Sequence, residues 1–100
     1  MEHDEILNQV FVQSMSVVFR RIGDEVLLVP IHARTADFES IYELNEVAAR
    51  IWELLDGRRT GAGIRDALVS EYEVSPAVAS ADVAGLLQRL AAFGAVEPRS

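Results

Sequence analysis

Residues 38–57 read FESIYELNEVAARIWELLDG, and within them the spacing of apolar side chains changes from that of a strand to that of a helix. Alternate residues from Phe38 to Leu44 share one face of a strand. After Asn45, apolar residues recur at the i, i+4, i+7 and i+8 spacing of a helix, and these are Val47, Ala48, Ile51, Trp52, Leu54 and Leu55. We therefore predict a strand over Phe38–Leu44 and a helix capped by Asn45, whose side-chain oxygen can accept a first-turn N–H.

Two further strands are predicted before this stretch. Residues 17–22, VVFRRI, and 26–29, VLLV, are rich in β-branched side chains. Gly23 and Asp24 between them predict a hairpin, because glycine accepts a positive φ. Pro30 has no N–H, so the second strand should end near Val29. Residues 1–16 are predicted to be an N-terminal extension or a short strand, and residues 17–96 one domain.

Helices are predicted after the third strand. Gly57 should end the first helix in the left-handed conformation. Residues 56–60 are predicted to be either an exposed turn or a cationic contact site, and the turn is preferred. Thr60 is the predicted N-cap of a second helix. Ser75 should cap a third helix with Pro76 in its first position, and Gly94 should end it. The order β-β-β-α-α-α predicts an α+β domain, a three-stranded antiparallel meander followed by three helices.

The composition indicates one globular domain and narrows its function. The chain has 100 residues, of which 50% are hydrophobic and 25% charged, and a formal net charge of −7. All nine basic residues are Arg, and this acidic balance argues against a nucleic-acid partner. The absence of Cys excludes disulfides and thiolate zinc sites and suits a reducing cytoplasm, where we expect the protein to act. The acidic N-terminus is not typical of a signal peptide, and no apolar run approaches the ~20 residues that cross a membrane.

Catalytic constellations are not found in the sequence. The two histidines, His3 and His32, lie in different segments and have no metal-ligand spacing. Trp52 is the single tryptophan and is predicted to be a core anchor of the first helix. We expect no catalytic residue, no metal site and no cofactor.

The third strand is an edge of the predicted meander. A strand edge presents unpaired N–H and C=O groups, and an extended peptide can pair with them as an added strand. Glu39 and Glu43 flank Ser40, Ile41 and Tyr42 on this strand. Either these glutamates protect the edge from aggregation or the edge binds a peptide. The free edge also permits an edge-paired or strand-swapped homodimer.

The run from Ile41 to Gly57 resembles the signature of the PqqD-like family, small proteins of ribosomal-peptide biosynthesis that are also called RiPP recognition elements. The resemblance covers residues 17–96. It combines a Leu-Asn helix start, an Ile-Trp pair, a Leu-Asp-Gly helix end and a distal Asp-Val-x-x-Leu-Leu, here residues 82–87. One departure is Gly63, which stands where family members often carry Glu.

The resemblance implies a winged-helix-like fold and a chaperone that is not itself an enzyme. Such a protein binds the leader segment of a precursor peptide and presents it to a radical S-adenosylmethionine enzyme or a leader protease. The leader would lie along the third strand, in a groove whose other wall is the third helix. The implied peptide-binding residues are Phe38, Glu39, Ser40, Ile41, Tyr42, Glu43 and Leu44 on the strand, and Asp82, Val83, Leu86, Leu87 and Leu90 on the helix.

A DNA-binding winged-helix regulator is the alternative, since a small sheet with three helices can serve that role. This alternative requires a cationic recognition helix. The third helix, Pro76–Phe93, carries one Asp and one Arg, which disfavours it.

Overall fold

The computed structural model describes residues 3–31 and 41–99. In chain order the elements are α1 (His3–Leu7), β1 (Val10–Gln13), β2 (Val17–Ile22), β3 (Glu25–Pro30), β4 (Tyr42–Leu44), α2 (Glu46–Leu54), β5 (Asp56–Thr60), α3 (Gly61–Glu71), α4 (Pro76–Phe93) and β6 (Val96–Pro98). The predicted α+β class is confirmed. The three predicted helices are α2, α3 and α4.

Strands β2, β3 and β4 form the predicted antiparallel meander, in that order across the sheet. Gly23 at the hairpin has a φ of 61°, the left-handed value expected there. Strand β3 continues to Pro30, one residue beyond its predicted end. Val26 and Leu28 on β3 are 3% and 0% exposed, so this face of the sheet covers the core.

Only the last part of the predicted third strand lies within the described residues. Tyr42–Leu44 forms β4 and pairs with β3, and Ile41 directly precedes it. The predicted positions Phe38, Glu39 and Ser40 lie outside the described residues.

Side-chain caps begin the three long helices as the sequence predicts. Asn45, Thr60 and Ser75 each accept a hydrogen bond from the backbone N–H three residues later, at 2.8, 3.1 and 3.2 Å. Pro76 is the first residue of α4, and Gly94 ends that helix with a φ of 87°. Each of these ends is set by local chemistry, because a capping side chain or a left-handed glycine satisfies terminal backbone groups.

A second antiparallel sheet, in the order β5-β1-β6, was absent from the sequence prediction. The predicted exposed turn at residues 56–60 is wrong, because these residues form β5 and pair with β1. Gly57 does adopt the predicted left-handed conformation, with a φ of 77°, but inside this strand. Helix α2 ends before it, at Leu54. The difference arises because β5 pairs with β1, in which Val10 lies opposite Thr60 and Val12 opposite Asp56, and local turn signals do not report such distant partners.

The N-terminal segment packs into the core. Ile6, Leu7 and Phe11 are 1%, 6% and 3% exposed. Helix α3 begins directly against this segment, since a Cβ added to Gly61 would lie 2.9 Å from the Cα of Leu7. The glycine therefore allows a close approach between α3 and α1.

The core is entirely apolar among the described residues, none of whose buried members is polar or charged. Trp52 is 5% exposed and is the predicted core anchor of α2. Its backbone carbonyl accepts a 2.8 Å hydrogen bond from Gln13 Nε2, which ties β1 to the end of α2. None of the described helices is long and apolar enough to cross a membrane.

Candidate functional site

The outer edge of β4 is unpaired within the part of the chain that the structure describes. Tyr42 and Leu44 point toward the core, and Leu44 is 3% exposed. Glu43 between them is exposed on the opposite face of the sheet, and Ile41 is half-buried. The backbone of this edge can therefore accept a further strand.

Tyr42 links this edge to the C-terminal half of α4. Its hydroxyl accepts a 3.1 Å hydrogen bond from Arg89 Nε. Its ring meets the ring of Phe93 edge-on, with centroids 5.5 Å apart and an interplanar angle of 66°. These two contacts hold α4 beside the unpaired edge.

The predicted helix wall divides into surface and core residues. Asp82 is exposed. The four apolar residues are at most 3% exposed and belong to the core, and these are Val83, Leu86, Leu87 and Leu90. Among them, Leu86 also lines a surface cavity beside β4. The other three support α4 from within.

Arg89 and Phe93 are part of this wall and were missed by the sequence analysis. They follow Asp82 and Leu86 at a spacing of four, three and four residues, which places all four on one stripe of the helix. That spacing is visible in the sequence and could have identified them. The apolar residues of α4 were predicted to form the wall instead, and most of these face inward.

A cavity of about 190 Å³ lies between the first turns of α2 and the middle of α4, next to the end of β4. Its floor is apolar and its rim is polar. The floor residues are Val47, Ala48, Ile51 and Leu86, and the rim residues are Asn45, Asp82 and Arg89. An apolar floor with a few polar rim groups suits one side chain of a bound peptide.

A larger cavity of about 510 Å³ lies between the β2–β3 hairpin and α2; it reaches Leu44 of β4 and is bordered by Arg21, Asp24 and Arg50. Arg50 makes a two-point ion pair with Glu71, at 2.7 and 2.9 Å, and a 3.2 Å pair with Glu53. The Arg50 guanidinium lowers the pKa of Glu71, and the hydrogen bond to Glu71 raises the pKa of Arg50. This network joins α2 to α3. The charges of Arg50 and Glu53 at that cavity therefore have a structural role.

Metal chemistry finds no support in the described residues, since no three His, Asp or Glu side chains there are grouped to hold an ion. The features gathered beside β4 are a strand edge and a pocket lined by both apolar and charged residues. Such a combination is suited to binding an extended chain.

A comparison with protein-family models decides the family. The model for coenzyme PQQ synthesis protein D, PqqD, matches residues 26–96. The chain belongs to the PqqD family. A search of the curated proteins found none that matches.

Three solved structures share the fold of this PqqD-family chain. It is 30% identical to TbiB1, solved in complex with the TbiA(beta) leader peptide; the match has a TM-score of 0.71 and covers 89% of this chain and 98% of TbiB1. It is 26% identical to a lasso peptide synthetase B1 complexed with its leader peptide, at a TM-score of 0.72, over 89% of this chain and 99% of that one. The PqqD part of Methylobacterium extorquens PqqCD, a stand-alone RiPP recognition element, shares the fold at 24% identity, with a TM-score of 0.70 and 88% of each chain covered. The comparisons give no support to a DNA-binding regulator.

Proposed function

We propose that this PqqD-family chain binds the leader segment of a ribosomally made precursor peptide and presents it to a modifying enzyme. The observation that carries the proposal is the unpaired outer edge of β4, which runs beside α4 and ends at an apolar pocket. Two similar chains were solved with leader peptides bound, which supports the same ligand class here.

The leader would bind as an added strand along the predicted strand, residues 38–44, of which 42–44 are described as β4. Its backbone would pair with the free edge, and one apolar side chain would enter the pocket above Ala48 and Leu86. Asp82 and Arg89 stand at the rim with opposite charges, so they would select for polar groups on either side of that apolar residue. Val83, Leu87 and Leu90 would act indirectly, by holding α4 in place.

The modifying enzyme is either a radical S-adenosylmethionine enzyme or a leader protease. Presentation of a peptide requires no catalytic group in this chain, because the chemistry takes place in the partner. The neighbouring genes distinguish the two: a short precursor reading frame beside a radical enzyme, or beside a cyclase and a protease, identifies the pathway.

Titration of isotopically labelled protein with the cognate leader tests the location of the site. We expect the largest amide shifts at residues 42–44, in the first turn of α2 and along the stripe of α4 that contains Asp82 and Arg89. Absence of shifts, or shifts confined to β1, β5 and β6, would contradict the proposal.

A pocket-filling variant tests the mechanism. Ala48→Phe places a ring in the pocket and should weaken leader binding at least ~10-fold in calorimetry, because the leader side chain is displaced. Ala92→Phe is the matched control, since Ala92 is exposed on α4 and does not line the pocket. Circular dichroism confirms that both variants fold. Equal affinity of the two variants would exclude the pocket from the binding site.

A further inference from the structure

The face of the β2-β3-β4 sheet that points away from the core, here called the outer face, is unusually apolar. Val17, Phe19 and Tyr42 pack against the core, whereas the residues that alternate with them do not. The outer face carries Val18, Arg20 and Ile22 on β2, Glu25, Leu27 and Val29 on β3, and Glu43 on β4. Residues 26–29 of β3 are apolar without interruption, which is typical of a strand that is covered on both faces.

Two of the four large apolar side chains that are exposed among the described residues lie at this sheet, and the other two are Met15 and Val78. Ile22 is 62% exposed at the end of β2, and Ile31, directly after β3, is 52% exposed. Contiguous apolar surface of this kind commonly marks a protein–protein contact.

The strand register places a positive charge on one side of the outer face, on β2, and a negative charge on the other side, on β4. Arg20 pairs across β2 and β3 with Leu27, and Leu27 pairs across β3 and β4 with Glu43. These three residues therefore form one row of cation, leucine and anion. The next row, Val18 and Val29, is apolar. Neither Arg20 nor Glu43 has an ion-pair partner among the described residues.

We propose that the outer face packs against the outer face of a second copy of this chain, about a two-fold axis that runs parallel to the strands above Leu27. That rotation exchanges the two sides of the row. It places Arg20 of each copy opposite Glu43 of the other and brings the two Leu27 side chains together. Val29 likewise meets Val29 of the second copy, so the charged row and the apolar row are self-complementary. The same rotation brings the two Glu25 side chains together at the start of β3, and this like-charge contact weakens the dimer.

The distances suit this arrangement. Sheets packed face to face lie ~10 Å apart, which Arg and Glu side chains can span together. Within one copy the two charged residues are two strand spacings apart, or ~10 Å, with Leu27 between them. The contact uses the outer face of β4, where Glu43 also belongs to the predicted leader-binding strand, and it leaves the backbone edge of β4 and helix α4 free.

The size of the patch predicts a weak dimer. β2 and β3 have six residues each and β4 has three, so the face presents a footprint of ~250 Å² per copy. Protruding side chains increase the buried area beyond this footprint, but it stays smaller than the ~800 Å² per partner of a standard stable interface. The dimer is therefore expected to form only at high protein concentration.

Sedimentation equilibrium between ~5 and ~500 µM tests the proposal on the wild type and on variants in which the charges of Arg20 and Glu43 are reversed. The wild-type mass should rise from 11.0 kDa toward twice that value with concentration. Arg20→Glu and Glu43→Arg should each raise the dimer dissociation constant about tenfold or more, because two attractive pairs become repulsive. The double variant R20E/E43R should restore the wild-type constant to within about threefold.

Matched controls separate this contact from a general effect of net charge. Arg58→Glu and Glu97→Arg change exposed residues of the other sheet by the same charge and should leave dimerisation unchanged. A wild-type protein that stays monomeric throughout overturns the proposal. So does a dimer that is insensitive to the single exchanges, or a double variant as weak as either of them.

Discussion

Replacing Gly61 with Ala is expected to destabilise the fold, whereas the same change at Gly63 is expected to stabilise it. Both glycines lie in the first turn of α3. A Cβ at position 61 would lie 2.9 Å from Leu7 Cα and 3.1 Å from the backbone oxygen of Ile6. A Cβ at position 63 would meet nothing nearer than 3.6 Å. The two variants therefore share a helix and a chemistry but differ in the space available.

The size of the difference follows from two opposing effects. Alanine in place of glycine favours a helix by about 1 kcal/mol at either position. At position 61 the added methyl group also overpacks the contact with α1, at a cost of about 1–3 kcal/mol. Backbone atoms cannot rotate away as a flexible side chain does, and both Ile6 and Leu7 are buried. Gly61→Ala should therefore be less stable than Gly63→Ala by about 1–3 kcal/mol.

Thermal unfolding followed by circular dichroism measures this difference. In a domain of this size, 1 kcal/mol shifts the Tm by about 4–8 °C. Gly63→Ala should melt a few degrees above wild type, and Gly61→Ala at least ~4 °C below Gly63→Ala. Equal melting temperatures for the two variants, or a higher one for Gly61→Ala, would refute the close approach of α3 to α1.

Three further predictions concern contacts that hold the elements in place. Glu71→Gln should destabilise the protein above about pH 5, and this effect should disappear as the pH falls. The reason is that Arg50 lowers the pKa of Glu71 from 4.5, and the stability that comes from a lowered carboxyl pKa is lost when the carboxylate is protonated. Urea unfolding of the wild type and the variant from ~pH 3 to 7 tests this. Asn45→Ala should cost about 1 kcal/mol through loss of the α2 cap, with Asn45→Asp close to wild type, again by urea unfolding. Tyr42→Phe removes the acceptor of the Arg89 hydrogen bond and should lower the free energy of unfolding by less than ~1 kcal/mol, since the bond is exposed.

Elements whose ends depend on local chemistry could be predicted from the sequence. The caps at Asn45, Thr60 and Ser75 act within three residues of themselves, and Gly23 needs only its own conformational freedom. Such signals are present in any short window of sequence. They located the meander and the three long helices.

The second sheet could not be predicted because its strands are short and gain stability only from distant partners. β1, β5 and β6 have four, five and three residues, and β5 reads DGRRT, a sequence typical of a turn. Pairing joins Val10 with Thr60 and Gln13 with Val96. No local pattern carries that information, since loop closure over such separations is decided by the whole fold.

The sequence predicts the strand and the helix that border the candidate site better than it predicts which of their side chains face it. The sequence indicates the strand edge and the facing helix, but apolar spacing alone cannot tell a core residue from a groove residue. Val83 and Leu87 are 0% exposed, while Arg89 and Phe93, which contact Tyr42, are a charged and a half-buried aromatic residue. One side of α4 packs into the core and an adjacent side borders the groove. Its residues can be assigned to the core or to the groove only when the orientation of the helix is known.

Backbone pairing along β4 cannot by itself account for the proposed binding of a leader. The described edge has three residues. If it forms about three hydrogen bonds, each with a net contribution of about 0.5–1.5 kcal/mol, the total is about 1.5–4.5 kcal/mol. Micromolar affinity corresponds to about 8 kcal/mol, and ordering a flexible peptide adds a further cost. Burial of side chains in the 190 Å³ pocket must therefore supply much of the remainder, at about 1.5–3 kcal/mol for each fully buried apolar residue. Backbone pairing is the same for every sequence, so in the proposed complex the pocket between α2 and α4 would decide which leader is bound.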